Sequence, residues 1–216
     1  MFDISLRQWK DRCFRPTIAF VPSWVTPGQV TFTALIAGLF ACAAATNPAW
    51  TWSAVSLWLA NRALDCLDGV LARERHHVSE LGGFCDLLSD FIIYSLIPMS
   101  VAYGQSVKGH MSNTGWLIVA FLEASFHVNN FVLFYCAAVA AKKDDDELTS
   151  VTMKPALVEG FEAGMLFTAM LVWPQRLVAL SALMSLGVAM GTVQRVTALV
   201  EVFSHIDARA VEKHVD

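Results

Sequence analysis

Apolar and polar positions fall in long blocks along this chain. No Asp, Glu, Lys, Arg or His occurs between Pro16 and Asn61, between Phe91 and Val107, or between Leu177 and Gln194. Apolar runs of roughly 20 residues match the hydrocarbon thickness of a bilayer, where such side chains need no polar cover. The blocks predict six membrane spans, at about 29–46, 50–73, 82–104, 115–141, 156–174 and 177–202. The breaks between them are Asn47-Pro48, Glu74 to Glu80, Gly104 to Gly115, Lys142 to Met153 and Trp173-Pro174. Ahead of the spans, residues 3–20 read as an amphipathic helix lying in the headgroup layer. Leu6, Trp9, Cys13 and Phe14 are its apolar positions, and Arg7, Lys10, Asp11 and Arg15 its polar ones. Thr26-Pro27 opens the first span, proline being tolerated in a first helical turn. The expected fold is an all-α integral membrane protein with six transmembrane helices after an N-terminal amphipathic interfacial helix. It forms one domain over residues 1–216: interfacial helix and linker to residue 25, a six-helix bundle to about 202, then a tail.

Composition agrees. Of 216 residues, 56% are hydrophobic and 16% charged, and mean hydropathy is +0.51. Soluble domains carry about 25% charged residues, so a soluble enzyme is excluded, as is disorder. The net charge of −4 leaves no basic footprint, so no nucleic acid is expected as partner. Cys13, Cys42, Cys66, Cys85 and Cys136 are scattered and form no CxxC pair, against a disulfide framework or structural zinc. The mixed-charge N-terminus has no apolar signal-peptide core. In the six-span reading, Arg7, Lys10, Arg12, Arg15, Arg73, Arg75, Lys142, Lys143, Lys154, Arg209 and Lys213 share one side. Lys108 and Arg176 take the other. The positive-inside rule then puts both termini in the cytoplasm.

Chemistry concentrates where the second span ends and the third begins. Asp65, Asp68, Gly69, Ala72 and Arg73 are followed, after eight residues, by Gly82, Asp86 and Asp90. Spacings of three and four put these side chains on one face of each helix. The short connection makes the helices antiparallel neighbours. Carboxylates gathered at membrane depth are costly and mark function. Oxygen-only donors suit hard divalent cations such as Mg²⁺, Mn²⁺ or Ca²⁺. The small residues Gly69, Ala72, Gly82 and Gly83 permit close approach of a ligand or of the helices themselves. Arg73 matches phosphate geometry, and the combination suggests a bound diphosphate.

The string D-x2-D-G-x2-A-R-x8-G-x3-D-x3-D over residues 65–90 resembles the signature of the CDP-alcohol phosphatidyltransferase family at every fixed position. The resemblance extends to the six-span layout and to Thr26-Pro27-Gly28-Gln29-Val30-Thr31, with Gly28 where family members often have Asn. It implies transfer of a phosphatidyl group from CDP-diacylglycerol to a small alcohol, with release of CMP. It implies two divalent cations, Mg²⁺ or Mn²⁺. Asp65, Asp68 and Asp86 would hold the first; Asp86 and Asp90 would help hold the second. Asp90 would be the general base, and Gly69, Ala72, Arg73 and Gly82 would cradle the cytidine diphosphate. A homodimer with a cytoplasmic active site is likewise implied.

The acceptor is read from weaker signals. Phosphatidylglycerophosphate synthases often carry Lys where this chain has Phe91. Phosphatidylserine synthases often show an aromatic and a proline at the positions of Tyr94 and Pro98. Inositol-type acceptors stay open. Lys154, Glu159 and Glu162, at the start of the fifth span, and Arg195 in the sixth are candidates for an acceptor or phosphate. Arg62, one turn before the acidic string, can neutralise the carboxylates or bind phosphate. The competing functions are a transferase using CDP-choline or CDP-ethanolamine with diacylglycerol, a divalent-cation transporter, and a catalytically silent scaffold. Arg73 beside the carboxylates would repel a permeant cation, and nothing in the string is degraded.

Overall fold

In the computed structural model, residue 12 and residues 14–143 and 160–212 are described. All regular structure among them is helical. The main helices are α1 (Pro27–Ala45), α2 (Thr51–Glu74), α3 (Glu80–Val107), α4 (Asn113–Lys143), α5 (Gly160–Val172) and α6 (Leu177–Glu212). Short 3-10 turns cover Arg15–Phe20, Pro48–Trp50 and Pro174–Arg176. Local sequence explains the helix starts. Thr26 and Gln29 form a reciprocal capping box at α1, with Pro27 in the first turn. The Ser79 hydroxyl caps α3 by accepting from the Gly82 amide at 3.1 Å.

Among the described residues, four helices are long and apolar enough to cross a membrane: Pro27–Ala45, Glu80–Val107, Asn113–Val139 and Pro174–Ser204. The protein is a multi-pass integral membrane protein. The second and fifth expected spans fall outside this set for different reasons. In α2 the charged string Arg62, Asp65, Asp68, Arg73 and Glu74 dilutes the hydropathy, and α5 has only 13 described residues. The expected N-terminal helix over residues 3–20 lies mostly outside the described residues. Its end, Arg15–Phe20, is a 3-10 turn.

Side-chain pairings fix the helix directions. Thr31 meets Asp68 and Asn61 meets the Ala34 carbonyl, so α1 and α2 are antiparallel. Arg62 meets Asp90 and Tyr94, and Asp65 meets Asp86, so α2 and α3 are antiparallel. Helices α1 and α3 run parallel and close. A Cβ on Gly38 would sit 2.7 Å from Ile93 Cδ1, and one on Gly104 would sit 2.6 Å from the Ala45 carbonyl oxygen. Helices α4 and α6 also run parallel. Gly115 lies against Val178 and Asn129 against Thr192, so the register is constant along both.

The core draws buried residues from all six helices, among them Ala41, Trp58, Ile97, Leu122, Phe167 and Met184. Trp58 is completely buried and donates its indole N–H to Thr168 Oγ1 at 2.8 Å. It packs edge-on against Tyr94 and Phe167, at ring-centroid distances of 6.1 Å each. This aromatic cluster sits directly beneath the acidic string.

Candidate active site

The acidic faces of α2 and α3 meet as their spacings require. Asp65 and Asp86 lie within hydrogen-bonding distance of each other across the two helices. The other two aspartates are drawn to partners. Asp68, buried, accepts from the Thr31 hydroxyl of α1 at 2.6 Å. Asp90 accepts from Arg62 Nη2 at 2.6 Å. The four carboxylates are therefore neighbours, but they point along different directions. Among the described residues no three His, Cys, Asp or Glu side chains already close around one point.

Arg62 is the hub of the deeper half. Its Nε donates to Asn61 Oδ1 at 2.8 Å and its Nη1 to the Tyr94 hydroxyl at 2.8 Å. Nη1 also lies 3.6 Å from Asp65. The guanidinium carbon stands 4.8 Å from the Trp58 ring centroid and 5.1 Å from that of Tyr94. Such a cation can remain at membrane depth because two carboxylates and two ring faces replace its water.

The shallower half opens into a cavity of about 710 Å³. Asp68, Asp86, Gly69, Ala72, Arg73 and Gly82 all line it. Thr26, Pro27 and Gly28 form the wall on the α1 side, and His77, Val78 and Ser79 the wall on the loop side. Phe32, Leu35, Leu88 and Ile92 continue the lining with apolar surface. The lining thus combines charged groups with hydrocarbon, a combination suited to an amphiphile.

The small residues now separate into two uses. A Cβ on Gly83 meets nothing within 4 Å, one on Gly82 meets only Ser79 Oγ, and one on Gly69 meets only the Arg73 side chain. Among the described residues no neighbouring helix presses on them, which leaves the space beside them open. Helix packing instead uses Gly38 and Gly104, outside the string.

The other expected residues are more scattered. Lys154 and Glu159 lie outside the described residues. Glu162 is half-buried in the first turn of α5. Arg195 Nη1 donates to Asn129 Oδ1 on α4 at 2.8 Å, and Thr192 donates to the same oxygen at 3.3 Å. Neither Thr31 nor Trp58, both next to the string, belongs to its spacing pattern. Thr31 stands four residues after Pro27 on the face of α1 that also buries Ala34, a helical register that is the only available hint.

Comparison with known proteins agrees with this geometry. The chain is 32% identical to the inner membrane protein YnjF of Escherichia coli (strain K12) over 154 residues, covering 69% of this chain and 71% of that protein. In fold it is similar to Mycobacterium tuberculosis phosphatidylinositol phosphate synthase (PgsA1), crystallised with manganese and citrate. The TM-score is 0.68, with 88% of each chain covered at 17% identity. The family model for CDP-alcohol phosphatidyltransferases matches residues 24–200, most of the chain and both walls of the cavity. The chain therefore belongs to the CDP-alcohol phosphatidyltransferase family.

Proposed function

We propose that this enzyme moves a phosphatidyl group from CDP-diacylglycerol to the hydroxyl of a small alcohol of the serine, glycerol phosphate or inositol type, releasing CMP. The observation that carries the reading is the cavity. Its lining brings Asp68, Asp86 and Arg73 together with Phe32, Leu35, Leu88 and Ile92, as a diphosphate attached to acyl chains requires.

The donor set fits hard divalent cations: carboxylate oxygens come from two adjacent helices, and Asp65 and Asp86 already touch. Two such cations, Mg²⁺ or Mn²⁺, held by Asp65, Asp68, Asp86 and Asp90, would neutralise the diphosphate and stabilise the departing phosphate. The chain's own residues supply the rest. Arg73 offers a charged fork to the diphosphate. Gly69, Ala72 and Gly82 leave the backbone open to it. Asp90 takes the proton of the acceptor hydroxyl. The acceptor oxygen then bonds to the lipid-side phosphorus, the bond from that phosphorus to the bridging oxygen breaks, and CMP leaves with the electron pair. Arg62, gripped by Asn61, Tyr94 and the Trp58 ring, orients the Asp90 carboxylate for this task. Arg195, Glu162, Lys154 and Glu159 are the candidates for contacting the acceptor.

In the same reading α2 and α5 complete six crossings, both termini and the cavity face the cytoplasm, and the enzyme works as a homodimer. The alternation of helix directions supports the crossings. The test is CMP release by purified protein with CDP-diacylglycerol, Mg²⁺ or Mn²⁺ and a panel of alcohols. A parallel arm supplies CDP-choline or CDP-ethanolamine with diacylglycerol. Release with one alcohol names the acceptor. Release only in the parallel arm moves the enzyme to the aminoalcohol class, and no release in either arm rejects transfer.

A further inference from the structure

Between the 3-10 turn Arg15–Phe20 and α1, residues 21–26 form a strap without regular structure. Its internal backbone bonds are sparse: Val21 N–H to the Ile18 carbonyl at 3.0 Å and Val25 N–H to the Pro22 carbonyl at 3.1 Å. Its outer side carries Trp24 and, at the preceding turn, Phe20, which are 73% and 88% exposed. Its inner side is held by Arg75. Arg75 Nη1 donates to the Val25 carbonyl at 2.6 Å, and Nη2 donates to those of Val21 at 2.7 Å and Pro22 at 3.2 Å. A second tie lies nearby, where Arg15 Nε meets Glu74 at 3.0 Å. That pair is well exposed and so contributes little.

Geometry makes the Arg75 grip consequential. Arg75 ends α2 two residues after Arg73, and its own amide bonds back to the Leu71 carbonyl at 3.0 Å. The next residue, His76, has φ +54°, and this left-handed turn brings His77 and Val78 to the cavity wall. The strap runs directly into Thr26, Pro27 and Gly28, the opposing wall. One guanidinium at the end of α2 thus ties the strap that leads into one wall to the turn that leads into the other, beside the Thr31–Asp68 and Asn61–Ala34 contacts that join the helices themselves. A planar fork with several N–H donors reaches three carbonyls at once, which a lysine ammonium does less well.

We propose that Arg75 is a positioning residue for the donor lipid: by fastening the strap through three carbonyls it holds the Thr26–Gly28 wall at the width the cytidine diphosphate end requires. Arg75 does not line the cavity and touches no reacting atom. The proposal rests on the reading of the cavity as the CDP-diacylglycerol site.

Two measurements test it on the full-length protein. The first is amide hydrogen exchange across residues 21–26, which needs no turnover. The second is steady-state kinetics with CDP-diacylglycerol varied, supplemented by calorimetric titration with CDP alone. Arg75→Ala is expected to speed exchange of the strap at least tenfold, to raise the donor KM and the CDP Kd at least fivefold, and to keep kcat within twofold. Arg75→Lys is expected to fall between wild type and Arg75→Ala on all three, and it carries the test if the alanine variant does not fold. Unchanged strap exchange overturns the proposal. So does faster exchange with unchanged CDP affinity, or a loss confined to kcat. A wild-type protein that binds CDP but releases no CMP defeats the functional reading alone, and the exchange and CDP titrations then still decide the role of Arg75.

Discussion

Single residues in this site have divided duties. Asp90 holds Arg62 through Oδ1 at 2.6 Å, and in the proposed mechanism it also takes the acceptor's proton. Asp90→Asn keeps a carbonyl oxygen for Arg62 and removes the proton acceptor. Its turnover is expected to fall at least a thousandfold, within the range general-base catalysis and cation stabilisation jointly supply, while CDP affinity changes by no more than about threefold. Stopped CMP release beside an intact calorimetric titration is the supporting result. Near-normal turnover would remove Asp90 from the role of base. Thr31 illustrates a different kind of residue. It reaches Asp68 from another helix, and no spacing within the acidic string could reveal it.

At the scale of elements, the two glycine classes behave oppositely. Gly104 packs against the backbone at the end of α1, where an added Cβ would lie 2.6 Å from the Ala45 carbonyl oxygen. Backbone cannot step aside as a side chain can, so overpacking here costs about 1–3 kcal/mol. Gly104→Ala is expected to lower the melting temperature of the detergent-solubilised protein by several degrees. Gly83→Ala meets open space and sits within a helix, so its melting temperature is expected to hold or rise slightly. Thermal unfolding of the two variants side by side checks the distinction, and equal shifts would contradict it. The length of α2 follows the same logic: its charged string lowers the hydropathy of a helix whose buried face, Ala54, Val55, Trp58, Asn61 and Asp68, is turned inward to its neighbours.

For the whole molecule, the helices reverse direction from α1 to α3, and α6 runs parallel to α4. The cavity and Arg73 therefore lie at the end opposite to Lys108, the C-cap of α3, and Arg176. In a cysteine-free background, Glu80→Cys is expected to react with a membrane-impermeant maleimide only from the cytoplasmic side, and Lys108→Cys only from the other. Labelling of both from one side would overturn the six-crossing proposal. The membrane character, those breaks between helices that fall among the described residues and the acidic string of residues 65–90 were all legible in the sequence. Each depends on local composition or on spacing along one helix, and hydrocarbon thickness and the helical repeat are properties of any chain. Asp65 beside Asp86 was legible too, because a short connection leaves adjacent helices little choice but to meet. Three things needed the tertiary structure: which carboxylate turns to Thr31 and which to Arg62, which glycines are packed against a neighbouring helix and which face open space, and that Arg75 grips the strap across 50 to 54 residues of chain. These are contacts between segments far apart in sequence, set by how helices approach and rotate against one another, and no periodicity within a single segment encodes them.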